Sequence, residues 1–269
     1  MPGGGLALLQ ISGIITAYCT VLAAVLGAVF GSFLNCMAWR IAHHESVITG
    51  RSHCPVCGHV LGPGDLVPVF SWIFLKGKCR YCGAPVSVRY LLTEVFSAAG
   101  FVLILFRFDV SWTLLRYLVL FCILLTLSLV DLEIFEIPDR FIAAGILWWA
   151  VTLLPAAESG TSFGRQLLTG LTGGALVGGG MLLLTLLFDR ATGKESMGGG
   201  DIKLFFMTGL YLGPAGALLG LILSCVLGLV FAAASRRRKI PFGPAISLSA
   251  MLVLLWGRPV IEWYMGFLS

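Results

Sequence analysis

Eight stretches of this chain are apolar over lengths near a bilayer crossing: about 10–34, 91–108, 111–130, 140–157, 167–188, 202–213, 214–235 and 243–265. A transmembrane helix needs about 20 apolar residues. Only helices and closed barrels satisfy every backbone hydrogen bond in lipid. Barrel strands alternate polar and apolar residues, and these runs do not. The chain is 58% hydrophobic and 12% charged, roughly half the charge of a soluble domain. The fold expected is an all-α polytopic membrane protein with about eight transmembrane helices and the lipid bilayer as its surroundings. The sixth run is short, with Gly213-Pro214 as the turn into the seventh. A half-helix and a segment of a longer tilted helix both suit it. No Lys or Arg precedes the first run, so a cleavable signal peptide is not expected.

Orientation follows from the basic residues. Arg40, Arg51, Lys76, Lys78, Arg80 and Arg89 lie after the first run, and Arg140 after the third. Arg190, Lys194 and Lys203 surround the loop after the fifth, and Arg236, Arg237, Arg238 and Lys239 follow the seventh. Of the 18 Lys and Arg, only Arg107, Arg116, Arg165 and Arg258 fall near the opposite side. The basic side is expected to be cytoplasmic, with both termini outside it. The net charge of +5 is a matter of topology here and gives no reason to expect a nucleic-acid partner.

Residues 39–90 form the one long polar segment. They carry Cys54-Pro55-Val56-Cys57 and Cys79-Arg80-Tyr81-Cys82, separated by 21 residues, with Gly58 and Gly83 following the pairs. Two such pairs are the spacing of a tetrathiolate zinc site in Cys54, Cys57, Cys79 and Cys82. About 50 residues bury little core, so a metal would supply the missing stability. Two disulfides or a redox pair are the alternative, which a reducing cytoplasm disfavours. Four cysteines already close a tetrahedron, so a structural rather than catalytic Zn2+ is expected, with His53 and His59 as bystanders. Cys19, Cys36, Cys122 and Cys225 lie alone in apolar surroundings and read as small buried hydrophobes.

Two acids stand at the ends of apolar runs on the basic side. Asp131 closes the third run. Asp201 follows Gly198-Gly199-Gly200 and precedes the sixth. Ionisable groups at membrane depth are costly and usually functional. Glycine lets an extended peptide approach such a carboxylate closely. Two facing carboxylates can divide the work of peptide hydrolysis, one taking a proton from water and the other polarising the carbonyl. The alternative is structural, with Asp201 as an N-cap. Glu133, Glu136 and Asp139 suit a solvated loop after Asp131, with Asp139, which follows Pro138, a candidate cap. Glu94 lies inside the second run and could pair with Arg89 or Lys203, line a polar cavity, or reach out to water. Gly170, Gly173, Gly174, Gly178, Gly179 and Gly180 suit close helix packing. Intramembrane carboxylates also serve cation transporters, but these acids cluster at helix ends on one side.

The ensemble resembles a known family, the bacterial type IV prepilin peptidases within the intramembrane aspartic proteases. The resemblance rests on Gly31-Ser32-Phe33-Leu34-Asn35 followed by Arg40, the paired cysteine loop, Arg89-Tyr90 with Glu94, Thr192 through Glu195, Met197 through Lys203, and Ile240-Pro241-Phe242-Gly243-Pro244. It implies Asp131 and Asp201 as the catalytic pair and prepilins and pseudopilins as substrates, cleaved at the cytoplasmic face. It also implies N-methylation of the new N-terminus with S-adenosylmethionine as donor. The implied division is 1–38 for the first helix, 39–90 for the zinc loop and 91–269 for the peptidase core. The segment Phe135 through Arg140 departs from the family's usual pattern after the first acid.

Overall fold

The computed structural model describes residues 12–157, 162–193, 197–234 and 240–267. Of the basic residues used for orientation, Lys194 and Arg236 through Lys239 lie outside these, as does Glu195 of the family-like segment. The described residues are mostly helical and contain no strand. Nine helices follow one another among them: α1 (Gly13–Ala42), α2 (Phe70–Phe74), α3 (Val88–Phe108), α4 (Trp112–Ile134), α5 (Asp139–Ala157), α6 (Phe163–Gly174), α7 (Gly180–Thr192), α8 (Gly199–Ala234) and α9 (Gly243–Gly266). Six helical stretches, with α6 and α7 counted as one, are long and apolar enough to cross a membrane. The chain forms two compact units, Met1–Leu114 and Leu115–Ser269.

In the first unit, α1 and α3 pack through glycine. A side-chain carbon on Gly27 would lie 2.7 Å from the Ser97 carbonyl oxygen, and one on Gly31 2.7 Å from Ser97 Cβ. The four-residue spacing puts both on one face and lets the two backbones meet, the usual device where lipid supplies no hydrophobic drive. The first helix runs to Ala42, well past the expected end near 34. Its last turns leave the apolar zone but remain packed, since Ala38 and Ile41 are buried. Arg40 donates to the carbonyls of Ser46, Thr49 and Gly50, closing the loop that follows.

In the second unit, α4 is buried along Leu120, Leu124, Leu127 and Val130. The glycine-rich run of the fifth span packs against the first half of α8. A side-chain carbon at Gly173 would lie 2.5 Å from the Gly209 carbonyl oxygen, and one at Gly178 2.6 Å from Phe206 Cβ. Gly179 and Gly180 meet nothing that close. Between α6 and α7 the helix widens into a π-turn at Ala175–Gly179, a common way to accommodate a helix under local packing demands.

Helix α8 counts 36 residues, about 54 Å if straight, against about 30 Å of hydrocarbon. It is not straight. Gly213 takes φ 67 and ψ 178, and Pro214 follows. Proline cannot donate to the preceding turn, and Gly213 occupies a backbone region that other residues avoid. Leu212 packs back on Gly216 and Gly220 across this break. The expected division of the sixth and seventh spans at Gly213-Pro214 is therefore present, and the helical segments number about as expected.

Candidate functional site

Asp131 stands in the last turn of α4, three residues before the helix ends. Leu132, Glu133 and Ile134 add most of a further turn. The helix has no reason to stop at the acid, because the carboxylate is satisfied from elsewhere. Its Oδ2 accepts the backbone N–H of Gly243 at 2.8 Å, across 112 residues of sequence. Asp131 is only 4% exposed. Gly243 opens α9, where the first N–H groups have no partner within their own helix. A carboxylate placed there also lies at the positive end of the helix dipole.

Asp201 is the third residue of α8, so it stands within the first turn and not at the cap position. It is partly exposed and lies close enough to feel the charge of Asp131. Gly200 beside it packs on Ile137, with room for a side-chain carbon only 2.9 Å from Ile137 Cβ. That contact ties the glycine turn to the short loop that leaves α4. The structure thus brings together the two acids chosen from the sequence, one shielded and one approachable.

The remaining acids divide by position. Asp139 begins α5 and pairs with Lys203, with Nζ 2.7 and 2.8 Å from the two carboxylate oxygens. Both partners are well exposed, so this pair contributes only about 0–1 kcal/mol. Lys203 thus bonds within its own unit, to Asp139. Glu94 is 7% exposed, and its Oε2 accepts the backbone N–H of Val69 at 2.6 Å. It is shielded from water. Val69 is held at φ 66, a region that β-branched residues rarely occupy. Nothing in the local sequence signals this partner, which lies 25 residues upstream.

The four cysteines converge in the first unit. Their Sγ atoms all lie within 4.8 Å of one another, and those of Cys54 and Cys82 are 3.9 Å apart. Each pair forms the same turn. Gly58 donates to the Cys54 carbonyl and Gly83 to the Cys79 carbonyl, both glycines having φ near 70. Cys54 donates to His59 and Cys79 to Ala84. Backbone N–H groups of Cys57 and Val56 aimed at the Cys54 thiol lower it to about 7. Against the N–H of Ala84, burial and the neighbouring thiols push Cys82 up to about 11. Thiolate–zinc bonds of about 2.3 Å put tetrahedral sulfur–sulfur edges at about 3.8 Å, so the cluster is of the right size for such an ion. His59 stacks on Tyr81, with centroids 3.5 Å apart, and takes no part in the cluster.

A second feature of this loop escaped the sequence reading. Asp65 accepts from Arg80 Nε at 2.6 Å, from Tyr81 Oη at 3.1 Å and from the Gly62 N–H at 3.1 Å. The Arg80 guanidinium holds its carboxyl below the ordinary 3.8, and Asp65 in turn pushes the Tyr81 phenol up. Asp65 therefore ties the first half of the loop to the second knuckle. The only signal in sequence was the spacing from Gly62 to Asp65, which suits a turn closed by its own side chain.

Comparison with known proteins follows the same two parts. A family described as "Bacterial Peptidase A24 N-terminal domain" matches residues 25–108, and one described as "Type IV leader peptidase family" matches residues 118–233. A prepilin leader peptidase/N-methyltransferase of Bacillus subtilis is 32% identical over 247 residues, 89% of this chain and 95% of the relative. One of Aeromonas salmonicida is 33% identical over 235 residues, covering 82% and 76%. A type 4 prepilin-like proteins leader peptide-processing enzyme of Escherichia coli is 32% identical over 255 residues, covering 87% and 93%. No solved structure matches the chain. With relatives this similar over three quarters or more of their length, the chain belongs to the type IV leader peptidase family.

Proposed function

We propose that this protein is an intramembrane aspartic endopeptidase that removes the leader from prepilins and pseudopilins and then methylates the new N-terminus. The observation that carries the reading is the pairing of the shielded, hydrogen-bonded Asp131 with the approachable Asp201 beside its glycine turn. The names of the relatives supply the substrate class and the second activity.

In the peptidase step one carboxylate of the pair, ionised, takes a proton from a water molecule. The other, protonated, donates a hydrogen bond to the scissile carbonyl. Attack forms the C–O bond of a tetrahedral intermediate. The proton then passes to the leaving nitrogen as the C–N bond breaks, and the pair returns to its starting state with one proton between them. Gly243 fixes Asp131 through Oδ2, leaving Oδ1 for the reacting groups. The glycines before Asp201 let an extended chain lie beside its carboxylate. Exposed Glu136 and Asp139 carry charge of the sign that attracts a basic leader.

The orientation proposed has the active site at the cytoplasmic face of the inner membrane and both termini on the other side, from the distribution of Lys and Arg. Cys54, Cys57, Cys79 and Cys82 hold a structural Zn2+, supported by their convergence and knuckle turns. A closed tetrathiolate site offers no position to a substrate. S-adenosylmethionine enters as the second substrate and supplies the methyl group transferred to the new amine.

The test is a purified prepilin-type substrate incubated with the protein in liposomes, its products weighed with and without S-adenosylmethionine. The expected result is a shortened chain, heavier by one CH2 group only when the donor is present. Cleavage without that gain would leave a peptidase alone, and an uncut substrate would contradict the reading.

A further inference from the structure

Helix α2 is a single turn with two unlike faces. Trp72 points into the loop, where its Nε1 donates to the Val86 carbonyl at 3.2 Å and its ring covers Gly77. Phe70, Ile73 and Phe74 point the other way, at positions one, four and five of the turn, and thus share one face. They are bare, Phe74 being 79% exposed, and the rings of Phe70 and Phe74 stack at 6.4 Å. Leu66 and Val67, just upstream, are exposed as well. Exposed apolar groups clustered in this way on a polar loop mark a surface meant to be covered.

The depth of the turn identifies what covers it. The N–H of Val69, immediately before α2, is held by Glu94. Glu94 is the seventh residue of α3, about 9 Å along the axis from the helix start. Helix α3 has 21 residues, about 31 Å, close to the thickness of the hydrocarbon it crosses. Its first turn therefore stands at the boundary between headgroups and acyl chains, and Glu94 in the second turn holds the Val69 backbone beneath that boundary. A backbone N–H at that depth needs a protein partner, because water no longer serves. Lys76 and Lys78 follow the turn directly and are exposed. Aromatic side chains with lysines beside them are the composition of a segment lying in an anionic membrane surface.

We propose that Phe70–Phe74 is an interfacial anchor, with Phe70, Ile73 and Phe74 inserted among the lipids of the leaflet that faces the cysteine loop. Lys76 and Lys78 meet the lipid phosphates. The loop is thereby held flat on the bilayer, with Glu94 fixing its depth from within the membrane and the aromatic turn fixing it from above.

The test is photocrosslinking of the full chain in liposomes of phosphatidylethanolamine and phosphatidylglycerol. A benzoylphenylalanine residue replaces Phe74, with Leu92 of α3 as the lipid-facing reference and exposed Val56 on the first knuckle as the solvent reference. Adducts are identified by mass, and metal content is measured in each variant. Position 74 is expected to give lipid adducts at a level within a few-fold of position 92, and position 56 at most about a tenth of that. Adducts at 74 that contain only protein, from a second copy or another segment, would overturn the proposal. So would a lipid yield no higher than at position 56. If the substitution at 74 releases the metal, the same comparison at Ile73 decides, by the same two outcomes.

Discussion

Asp131 takes its position from one backbone N–H. A side-chain carbon on Gly243 would lie 2.7 Å from the acid's Oδ2 and 3.3 Å from its Cγ. The carboxylate is the more mobile partner, so Gly243→Ala should turn it aside rather than unfold α9. Displacement of a reacting group by about 1 Å can cost about 10²-fold in rate. The expected outcome is a loss of leader cleavage of that order with a thermal midpoint close to wild type, read by a cleavage assay beside a melting curve. Asp139 provides the contrast. Its exposed pair with Lys203 has little energetic weight, so Asp139→Asn should keep activity within a few-fold. Asp65 carries a pH signature. Its folded-state carboxyl lies below the ordinary value because of Arg80. Its stabilising contribution is therefore complete above 3.8 and fades as pH falls through the lower folded value. Asp65→Asn should lower the stability of the cysteine loop at neutral pH, and the gap to wild type should close as the solution is acidified. Hydrogen exchange of residues 60–66 across pH checks this.

At the scale of elements, glycine decides where helices meet. A side-chain carbon on Gly31 or Gly173 would meet backbone across the interface, at 3.1 Å from Glu94 Cα and 2.5 Å from the Gly209 carbonyl oxygen. Backbone cannot step aside as a side-chain tip can. Gly31→Leu or Gly173→Leu should force the helices apart and destabilise by about 1–3 kcal/mol or more, as overpacking does. Denaturation in detergent would show it. These contacts also explain which parts of the fold were legible beforehand. Lipid imposes length and apolarity on each span, so the runs and the Gly213-Pro214 break could be read from the sequence. The knuckles were legible because metal geometry fixes short spacings. Helix ends were not. The first helix outruns its apolar stretch because Ala38 and Ile41 pack, and α4 outruns Asp131 because Gly243, distant in sequence, satisfies the acid. The Glu94 bond to Val69 was hidden for the same reason. It joins a buried carboxylate to a backbone group, and backbone groups leave no mark in a sequence pattern.

For the whole molecule, two compact units carry two different kinds of order. The first depends on its cysteine cluster, since a loop of this size has little core of its own. Cys54→Ser or Cys82→Ser should lose the metal and loosen residues 52–86, leaving the second unit's helices intact. Metal analysis with hydrogen exchange separates these effects. The second unit carries the acids, and the central claim is that Asp131 and Asp201 act together on a peptide bond. The direct measurement is cleavage of a prepilin-type substrate in liposomes by wild type, Asp131→Asn and Asp201→Asn. Amide side chains keep the size and lose the ability to exchange a proton. Each variant should fold as wild type does, by circular dichroism and melting, and lose cleavage by at least about 10²–10⁴-fold, the range of acid–base catalysis. Cleavage at the wild-type rate by either variant would mean that the two acids only shape the helices around them.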